Sequence, residues 1–422
     1  MAERKSGIFR ALRSRNYQLY FSGQLVSLVG TWMAQIAMSW LVYRLTGSKL
    51  LLGVVAFTTM IPSFVLGPIT GVMVDRWNLR RTIITTQTCA MLQAGALAAL
   101  TLTGVINTTH ILILAAVLGI INAVDMPARQ SFVVQMIERR EDLGNAIALN
   151  SSMFNAARLL GPATGGILIA AVGEGYCFLI NSLSFVAVIA ALLAMRMEPK
   201  PRPPAKPVWP ELVEGFRYVR GSVPIRSVLI MMSLVSIAGV PYMVLMPVFV
   251  SDILHGGPRA LGFLSAASGA GALAGALTLA ARRTVLGLER APVAAAAGFG
   301  CALILFSLSH WFPVSLAILP FAGFAMITQM AASNTLLQTF VDDSKRGRVM
   351  ALYGMAFQGV MPIGSLLAGT LAETRLGAPG TVMIGGGACF LAAIFFARKV
   401  PALREKLLEV LSKEADRARA GH

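Results

Sequence analysis

Long apolar runs alternate with short polar stretches along the whole chain. The runs are roughly 20 residues long or longer, the length at which an α-helix crosses the hydrocarbon core of a bilayer. Short segments of alternating polar and apolar residues, which a transmembrane β-barrel requires, do not stand out. The pattern predicts an all-α membrane protein with twelve transmembrane helices, at about 17–43, 50–74, 82–104, 110–127, 143–172, 174–195, 226–250, 259–281, 291–309, 312–335, 347–372 and 379–398.

The charged residues predict how these spans are oriented. Only 13% of the 422 residues are charged and 56% are hydrophobic, which excludes an ordinary soluble domain. The net charge of +17 would indicate nucleic-acid binding in a soluble protein. Here 31 of the 36 Lys and Arg residues lie in the terminal segments or in the loops after spans 2, 4, 6, 8 and 10. This positive-inside distribution predicts a multi-pass protein of the inner membrane with both termini cytoplasmic, and no nucleic-acid partner.

A basic, proline-rich stretch, MEPKPRPPAKPVWP, separates spans 6 and 7. Such a composition is typical of an extended, semi-rigid linker. From the end of this stretch onward, Trp209, Leu212, Val213 and Phe216 recur at helical spacing, which predicts a short helix on the membrane surface. We therefore predict an N-terminal six-helix bundle over 1–197, a cytoplasmic linker and interfacial helix over 198–222, a C-terminal six-helix bundle over 223–398 and a cytoplasmic basic tail over 399–422.

The two halves also resemble each other in sequence. LVSLVG at 25–30 matches LVSIAG at 234–239, an offset of 209 (234 − 25). The same offset relates Gly53 to Gly262 near the start of the next span, and Pro162 and Pro362 occupy similar places in spans 5 and 11. The order of these matches predicts two parallel six-helix repeats, an arrangement that places a binding site near the membrane midplane between the halves.

Few residues in the sequence could support catalysis or hold a metal. The four cysteines lie far apart, and the histidines, His110, His255, His310 and His422, are isolated from one another. No glycine-rich loop of the Walker type occurs. The sequence therefore predicts no catalytic residue, no metal site and no cofactor. It also disfavours a membrane-embedded enzyme, which would need clustered catalytic groups.

Ionisable residues at membrane depth are candidates for function because they are costly there. Asp75 ends span 2 and Asp125 ends span 4, close to Arg129, on the predicted cytoplasmic side. The positive-inside pattern explains the arginines of these loops but not Asp75. Arg158 lies inside span 5, where its planar fork of donors could serve an acid, a backbone carbonyl or a neighbouring helix, or an anionic substrate.

Three stretches resemble the major facilitator superfamily. GVMVDRWNLRR at 71–81 is similar to that family's loop between spans 2 and 3, Gly-x-Leu-Ala-Asp-Arg-x-Gly-Arg-Arg. Asn78 replaces the second Gly, which we attribute to the ability of Asn to adopt left-handed backbone conformations. GPATGG at 161–166 is similar to a motif described mainly in exporters. DMPARQSFVVQMI at 125–137, followed by LGNAIALNSSMFNAARLLGP at 143–162, resembles the branch that contains enterobactin exporters and macrolide efflux proteins.

The resemblance implies roles for two groups of residues. In the superfamily, the acid of the first loop and its Arg interact with an acid at the foot of span 4 and with span 11, and they hold the cytoplasmic side closed in the outward-open state. By resemblance, this gating cluster consists of Gly71, Asp75, Arg76, Arg80, Asp125 and Arg129. The motif that would bend span 5 and let a neighbouring helix approach closely consists of Gly161, Pro162, Gly165 and Gly166. Ordinary helix packing and a direct role in transport direction both remain open for this motif.

The family fold also implies a central cavity lined from spans 1, 4, 7 and 10. With Arg158 of span 5 added, the candidate substrate-binding residues are Gln24, Thr31, Gln35, Asn122, Arg158, Met243, Met326 and Gln329. A largely apolar cavity with few fixed charges favours bulky amphipathic compounds over sugars.

The resemblance as a whole implies a secondary active exporter of amphipathic molecules, such as drugs or siderophores, which works by alternating access. Protons are the expected coupling ion, with Asp125 as the favoured carrier. The expected partners are the small-molecule substrate, protons and the lipid bilayer, and the expected state is a monomer. The alternatives are a lipid or lysophospholipid transporter of the same fold and, less favoured, a membrane-embedded enzyme.

Overall fold

The computed structural model describes residues 10–74, 76–137, 140–196, 208–282, 284–342 and 345–420. Over these residues the chain is helical and contains no β-strand. Twelve helical segments of the described chain are long and apolar enough to cross a membrane. The predicted all-α architecture with twelve transmembrane helices is therefore confirmed.

The helices are numbered in chain order. Those before the linker are α1 (Arg15–Thr46), α2 (Lys49–Val74), α3 (Leu79–Leu102), α4 (Thr108–Met136), α5 (Leu143–Val172) and α6 (Glu174–Ala194). Those after it are α7 (Val208–Gly221), α8 (Val223–Ala238), α9 (Met246–Val248), α10 (Pro258–Ala280), α11 (Ala291–Ser307), α12 (Phe312–Phe340), α13 (Arg346–Gly354), α14 (Met361–Glu373), α15 (Gly377–Ala397) and α16 (Val400–Ala420). The seventh span, Val223–Ile253, contains α8 and α9, and the eleventh, Arg346–Glu373, contains α13 and α14.

Local sequence signals explain where several helices begin and end. Asn107 precedes α4, and its side-chain oxygen accepts a hydrogen bond from the backbone N–H of His110 at 3.0 Å. Gly47 follows α1 with a φ of +61° and donates its N–H to the carbonyl of Tyr43. A left-handed residue of this kind ends a helix by satisfying a free carbonyl, and glycine adopts the conformation without strain.

The chain folds into two compact units. The first consists of Met1–Gly47, Thr58–Lys206 and Gly256–Ala266, and the second consists of Ser48–Phe57, Pro207–His255 and Ala267–His422. Two helices are divided between the units, because the beginning of α2 belongs to the second unit and the beginning of α10 belongs to the first.

In the first unit, α6 packs against both α1 and α3. Glycines permit the close approach to α1: a Cβ at Gly23 would lie 3.0 Å from the carbonyl oxygen of Ala187. At the end of this unit near residue 15, the fully buried core includes Tyr17, Phe132 and Met136.

In the second unit, the predicted helix after the linker is present as α7. The carboxylate of Glu214 on α7 forms ion pairs with Lys345 and with Arg348, the latter at 2.8 Å between Nη1 and Oε1. The hydrogen bond from Lys345, together with the charge of Arg348, holds the pKa of the Glu214 carboxyl below its usual value. Val219 of α7 packs in the same apolar core as Leu403 of α16, so both helices belong to the packing of this unit.

Two pairs of glycines bring helix backbones into contact. In the second unit, a Cβ at Gly53 of α2 would lie 2.6 Å from the carbonyl oxygen of Ser365 and 3.1 Å from Cα of Gly369, both on α14. In the first unit, a Cβ at Gly166 of α5 would lie 2.7 Å from Cα of Gly262 on α10. Because Gly53 and Gly262 occupy equivalent places in the sequence repeat, the two contacts are counterparts of one another.

The contact between α2 and α14 also contains a polar cap. One carboxylate oxygen of Glu373, the last residue of α14, accepts hydrogen bonds from the backbone N–H groups of Lys49 at 3.0 Å and Leu50 at 2.9 Å. These are the first residues of α2, whose N–H groups have no partner within the helix. The carboxylate therefore both satisfies these donors and interacts favourably with the positive end of the helix dipole.

Candidate functional site

Asp125 on α4 is a carboxylate buried inside the first unit. Asp125 as a whole is 1% exposed. Its Oδ1 accepts hydrogen bonds from Oγ1 of Thr86 at 2.7 Å and from Nε2 of Gln87 at 2.9 Å, both on α3. Its Oδ2 forms an ion pair with Nη2 of Arg129, one turn further along α4. A buried charge is tolerable only when it is paired and hydrogen-bonded, and Asp125 meets both conditions.

The two partners of this ion pair differ in their access to solvent. The Asp125 side chain is 2% exposed, whereas the Arg129 side chain is 24% exposed. The guanidinium can therefore be rehydrated when it leaves the carboxylate, but the carboxylate cannot. The Asp125 carboxylate therefore depends on protein groups for its hydrogen bonds.

The structure brings together only part of the predicted gating cluster. Asp125 and Arg129 are paired, and Asp75 lies outside the described residues. Arg76 is exposed at the turn between α2 and α3. Arg80 points elsewhere: its Nε and Nη2 donate to the carbonyl oxygens of Leu192 at 2.7 Å and Leu193 at 2.8 Å. These are among the last carbonyls of α6, so Arg80 caps the end of that helix.

The explanation given for Asn78 is wrong. Asn78 has a φ of −71° and a ψ of 101°, which is extended rather than left-handed backbone. Its side-chain oxygen accepts a hydrogen bond from the N–H of Arg81 at 3.1 Å. Asn is therefore suited to this position because it caps the start of α3. At Gly71, nothing lies within 4 Å of the place where a Cβ would be, so close packing does not explain that glycine.

Arg158 on α5 lies against an aromatic side chain of α1. Its guanidinium carbon is 5.9 Å from the ring centroid of Trp32, and the residue is 7% exposed. The Trp32 ring in turn meets the ring of Phe154 edge to face at 5.6 Å. A cation over the face of a tryptophan is a favourable arrangement, which accounts for part of the cost of placing this charge inside a span.

The GPATGG motif serves close helix packing in the structure. A Cβ at Gly161 would lie 2.4 Å from Cβ of Trp32, and one at Gly165 would lie 3.2 Å from the carbonyl oxygen of Met33, both on α1. Gly166 makes the contact with α10 described above. The helix continues through Pro162 as far as Val172, and its bending stays a prediction.

The predicted substrate-binding residues differ in their exposure. Thr31 and Gln35 are exposed, and Asn122 and Met243 are half-buried. Four others are buried, with exposed fractions of 2% for Gln24, 7% for Arg158, 4% for Met326 and 1% for Gln329. The contact of all these residues with substrate stays a prediction.

Two polar residues in the site were missed by the sequence analysis. Thr86 and Gln87 are the neutral donors to Asp125, and they belong to the polar stretch TTQT inside the otherwise apolar third span. Polar side chains at such depth are themselves a signal of an internal partner. The register between α3 and α4, which joins them to Asp125, cannot be deduced from that signal.

Comparison with known proteins places the chain in a family. The sequence model of the transmembrane secretion effector family matches residues 6–415. The chain is 23% identical to the staphyloferrin A transporter of Staphylococcus aureus (strain NCTC 8325 / PS 47), over 84% of this chain and 89% of that protein. It is 26% identical to the multidrug efflux pump Tap of Mycolicibacterium fortuitum, over 83% and 87%. It is 23% identical to macrolide efflux protein A of Streptococcus pyogenes, over 88% and 93%, in agreement with the predicted branch.

A solved structure is similar over nearly the same length. It is that of a bacterial homologue of the iron transporter ferroportin, with a TM-score of 0.70 at 15% identity, covering 92% of this chain and 98% of that one. At this identity the likeness shows the fold alone. With its twelve spans and the family match over residues 6–415, the chain is a multi-pass inner-membrane protein that belongs to the transmembrane secretion effector family of the major facilitator superfamily.

Proposed function

We propose that the protein is a secondary active exporter of amphipathic small molecules, such as drugs or siderophores, and that it exchanges them for protons by alternating access. The names of its relatives, a staphyloferrin A transporter and a multidrug efflux pump, support the substrate class. The observation that carries the proton exchange is the buried pair of Asp125 and Arg129 with its two neutral donors on α3.

The proton would act through the charge of Asp125. When the carboxylate is ionised, it holds Arg129 and accepts hydrogen bonds from Thr86 and Gln87. A proton on the carboxylate removes the attraction for Arg129, which is partly exposed and can leave for solvent or another acceptor. Proton binding and release would thereby shift the equilibrium between two conformations of the transporter.

The substrate would meet a surface with few fixed charges. Thr31 and Gln35 on α1 offer exposed polar groups, and the half-buried Met243 offers an adaptable apolar one. Such a surface suits molecules that combine large apolar bodies with scattered polar atoms. The distribution of basic residues supports cytoplasmic termini, so that substrate would leave the cell by the opposite face.

The test is accumulation of a panel of dyes, macrolides and catechol siderophores in cells with and without the protein, before and after an uncoupler. We expect lower accumulation of some compounds with the protein, and loss of that difference after the uncoupler. Asp125→Asn should abolish the difference at equal membrane expression. Glu405→Gln, which neutralises an exposed carboxylate on α16, is the matched control and should export normally.

Two outcomes would contradict the proposal. Export that continues after the uncoupler would reject the proton gradient as the driving force. A changed lipid distribution with no exclusion of any compound would favour the lipid transporter of the same fold.

A further inference from the structure

The first turn of α2 is held by a carboxylate from the far end of the sequence. Glu373, the last residue of α14, accepts hydrogen bonds from the N–H groups of Lys49 at 3.0 Å and Leu50 at 2.9 Å. The next N–H, that of Leu51, is bonded to Oγ of Ser48 at 3.1 Å, which is ordinary local capping. The two donors before it depend on a side chain that lies 324 residues from Lys49 in sequence.

This contact joins the two halves of the sequence. Helix α2 comes from the first six-helix repeat, yet its beginning, Ser48–Phe57, packs in the second unit with α14, and the rest of α2 belongs to the first unit. The positive-inside distribution predicts that α2 begins, and α14 ends, on the outer face of the membrane. An opening of the protein at that face must therefore detach the first turn of α2 from α14.

The counterpart contact, between α5 and α10, lacks the donor of this cap. The offset of 209 that relates Gly53 to Gly262 also relates Lys49 to Pro258, the first residue of α10 (49 + 209). Proline has no N–H group, so α10 cannot offer a hydrogen bond at the place where α2 offers that of Lys49.

The counterpart contact also lacks the acceptor. Gly166 of α5 and Gly369 of α14 make equivalent contacts and differ by 203 in number. The same offset relates Ala170 to Glu373 (170 + 203), and an alanine side chain accepts no hydrogen bond. Both partners of the cap are therefore specific to α2 and α14, whereas close packing of glycines is common to the two contacts.

We propose that Glu373 is a gating residue of the exporter. Its carboxylate and the N–H groups of Lys49 and Leu50 form an outer latch, which holds the beginning of α2 on α14 while the outer face is closed. The latch is released each time the protein opens to the outside. This role in export rests on the proposed function, because it assumes alternating access.

The exposure of Glu373 suits a contact that is made and broken repeatedly. The residue is exposed, so its carboxylate can be rehydrated when α2 leaves. A carboxylate at an exposed helix N-terminus stabilises by an amount that corresponds to about a 2- to 5-fold change in an equilibrium constant. The outer latch therefore biases the protein toward the closed outer face without locking it.

Ser365 provides a reporter for the opening of this contact. Ser365 and Gly369 lie one turn apart on the same face of α14, and both meet Gly53 of α2. Ser365 is 0% exposed, and cysteine is similar to serine in size. In purified full-length Ser365→Cys protein, the rate of N-ethylmaleimide labelling at residue 365, read by mass spectrometry of its peptide, should follow the population in which α2 has left α14.

The first comparison removes the carboxylate. In the Ser365→Cys background, Glu373→Ala should raise the labelling rate about 2- to 5-fold. Glu174→Ala is the matched control, since Glu174 is also a carboxylate at a helix end on the predicted outer face. It pairs with Arg44 inside the first unit, so its loss should leave the labelling rate unchanged.

The second comparison removes a donor and leaves Glu373 in place. Lys49→Pro gives α2 the residue that α10 has at its first position, where proline fits a helix. It should raise the labelling rate, whereas Lys49→Ala, which keeps the N–H, should not. Because both changes act on one contact, Lys49→Pro should add less in the Glu373→Ala background than in the unchanged one.

Three results would overturn the outer latch. They are an unchanged labelling rate in Glu373→Ala, an equal rise in Lys49→Ala and Lys49→Pro, and labelling of Ser365→Cys that is already as fast as in the unfolded protein. The labelling needs neither substrate nor a proton gradient. Faster labelling of Glu373→Ala together with export that continues after the uncoupler would keep the latch and reject the proton exchange. Unchanged labelling together with uncoupler-sensitive export would reject the latch alone.

Discussion

Replacing Arg129 by methionine should destabilise the protein far more than a typical loss of a surface arginine. The change leaves the Asp125 carboxylate buried, 2% exposed, with only the neutral donors Thr86 and Gln87. Removing one partner of a buried ion pair typically costs roughly 3–5 kcal/mol. Because the Arg129 side chain is 24% exposed, we expect the lower end of that range, about 3 kcal/mol of unfolding free energy.

The opposite change, Asp125→Asn, should cost less. It leaves behind a guanidinium that can reach water, so the expected cost is that of altered hydrogen bonds, about 1–2 kcal/mol. In the Asp125→Asn background, Arg129→Met no longer leaves a buried carboxylate without its partner, and it should lower the unfolding free energy by only about 1 kcal/mol. The difference of about 2 kcal/mol between the two backgrounds is the coupling energy of the pair.

The assay is a double-mutant cycle on the unfolding free energy of the purified protein, titrated with SDS in mixed micelles. Arg81→Met, which removes an exposed arginine from the first turn of α3, is the control and should change stability by no more than about 0.5 kcal/mol. The reasoning fails if Arg129→Met costs no more than Arg81→Met. It also fails if the costs of the two single changes simply add in the double variant.

Three further outcomes follow from contacts outside this pair. The pKa of the Glu214 carboxyl is lowered in the folded protein, so its ion pairs should keep α7 in place at pH values above the usual carboxyl pKa and release it as the pH falls through the lowered value. The release would be measured as faster proteolysis beside α7. Glu214→Gln should show fast proteolysis at neutral pH as well. Gly53→Ala should lower the unfolding free energy by about 1–3 kcal/mol in the same SDS titration, because the added Cβ would clash with α14. Gly71→Ala, at an open position, should leave it unchanged or raise it by up to about 1 kcal/mol. Arg80→Ala should cost about 0.5–1.5 kcal/mol by removing the donor to two carbonyls of α6, and Arg80→Lys should restore part of it.

The sequence was sufficient to predict the number of spans, but span 4 was predicted to end at 127, whereas α4 continues to Met136 and holds both Asp125 and Arg129. A run of about 20 apolar residues has few alternatives to a transmembrane helix. Asp125 and Arg129 are four residues apart, so a helix brings them together regardless of tertiary structure. The helix of the linker could also be predicted, since its apolar residues recur at helical spacing.

The contacts between helices could not be predicted from the sequence, because a polar residue in a span does not reveal which neighbouring helix it faces. Gln24 was predicted to meet substrate; the residue is buried, at 2% exposed, and its contact with substrate stays a prediction. Arg80 was predicted to belong to the gating cluster, and the structure shows that it donates to two carbonyls at the end of α6. Arg44 is one of the few basic residues outside the positive-inside pattern, and the structure pairs its Nε with Oε1 of Glu174 at 2.7 Å. The last two outcomes depend on a helix distant in sequence.

The division of α2 and α10 between the units has a consequence for splitting the chain. A cut in the linker would leave Ser48–Phe57 on the first fragment, although this segment packs in the second unit, where Gly53 meets Gly369. It would likewise leave Gly256–Ala266, which includes Gly262, on the second fragment. Neither fragment can complete its own packing alone. The two halves, produced as separate chains, should therefore accumulate only when they are made together, as an obligate complementing pair.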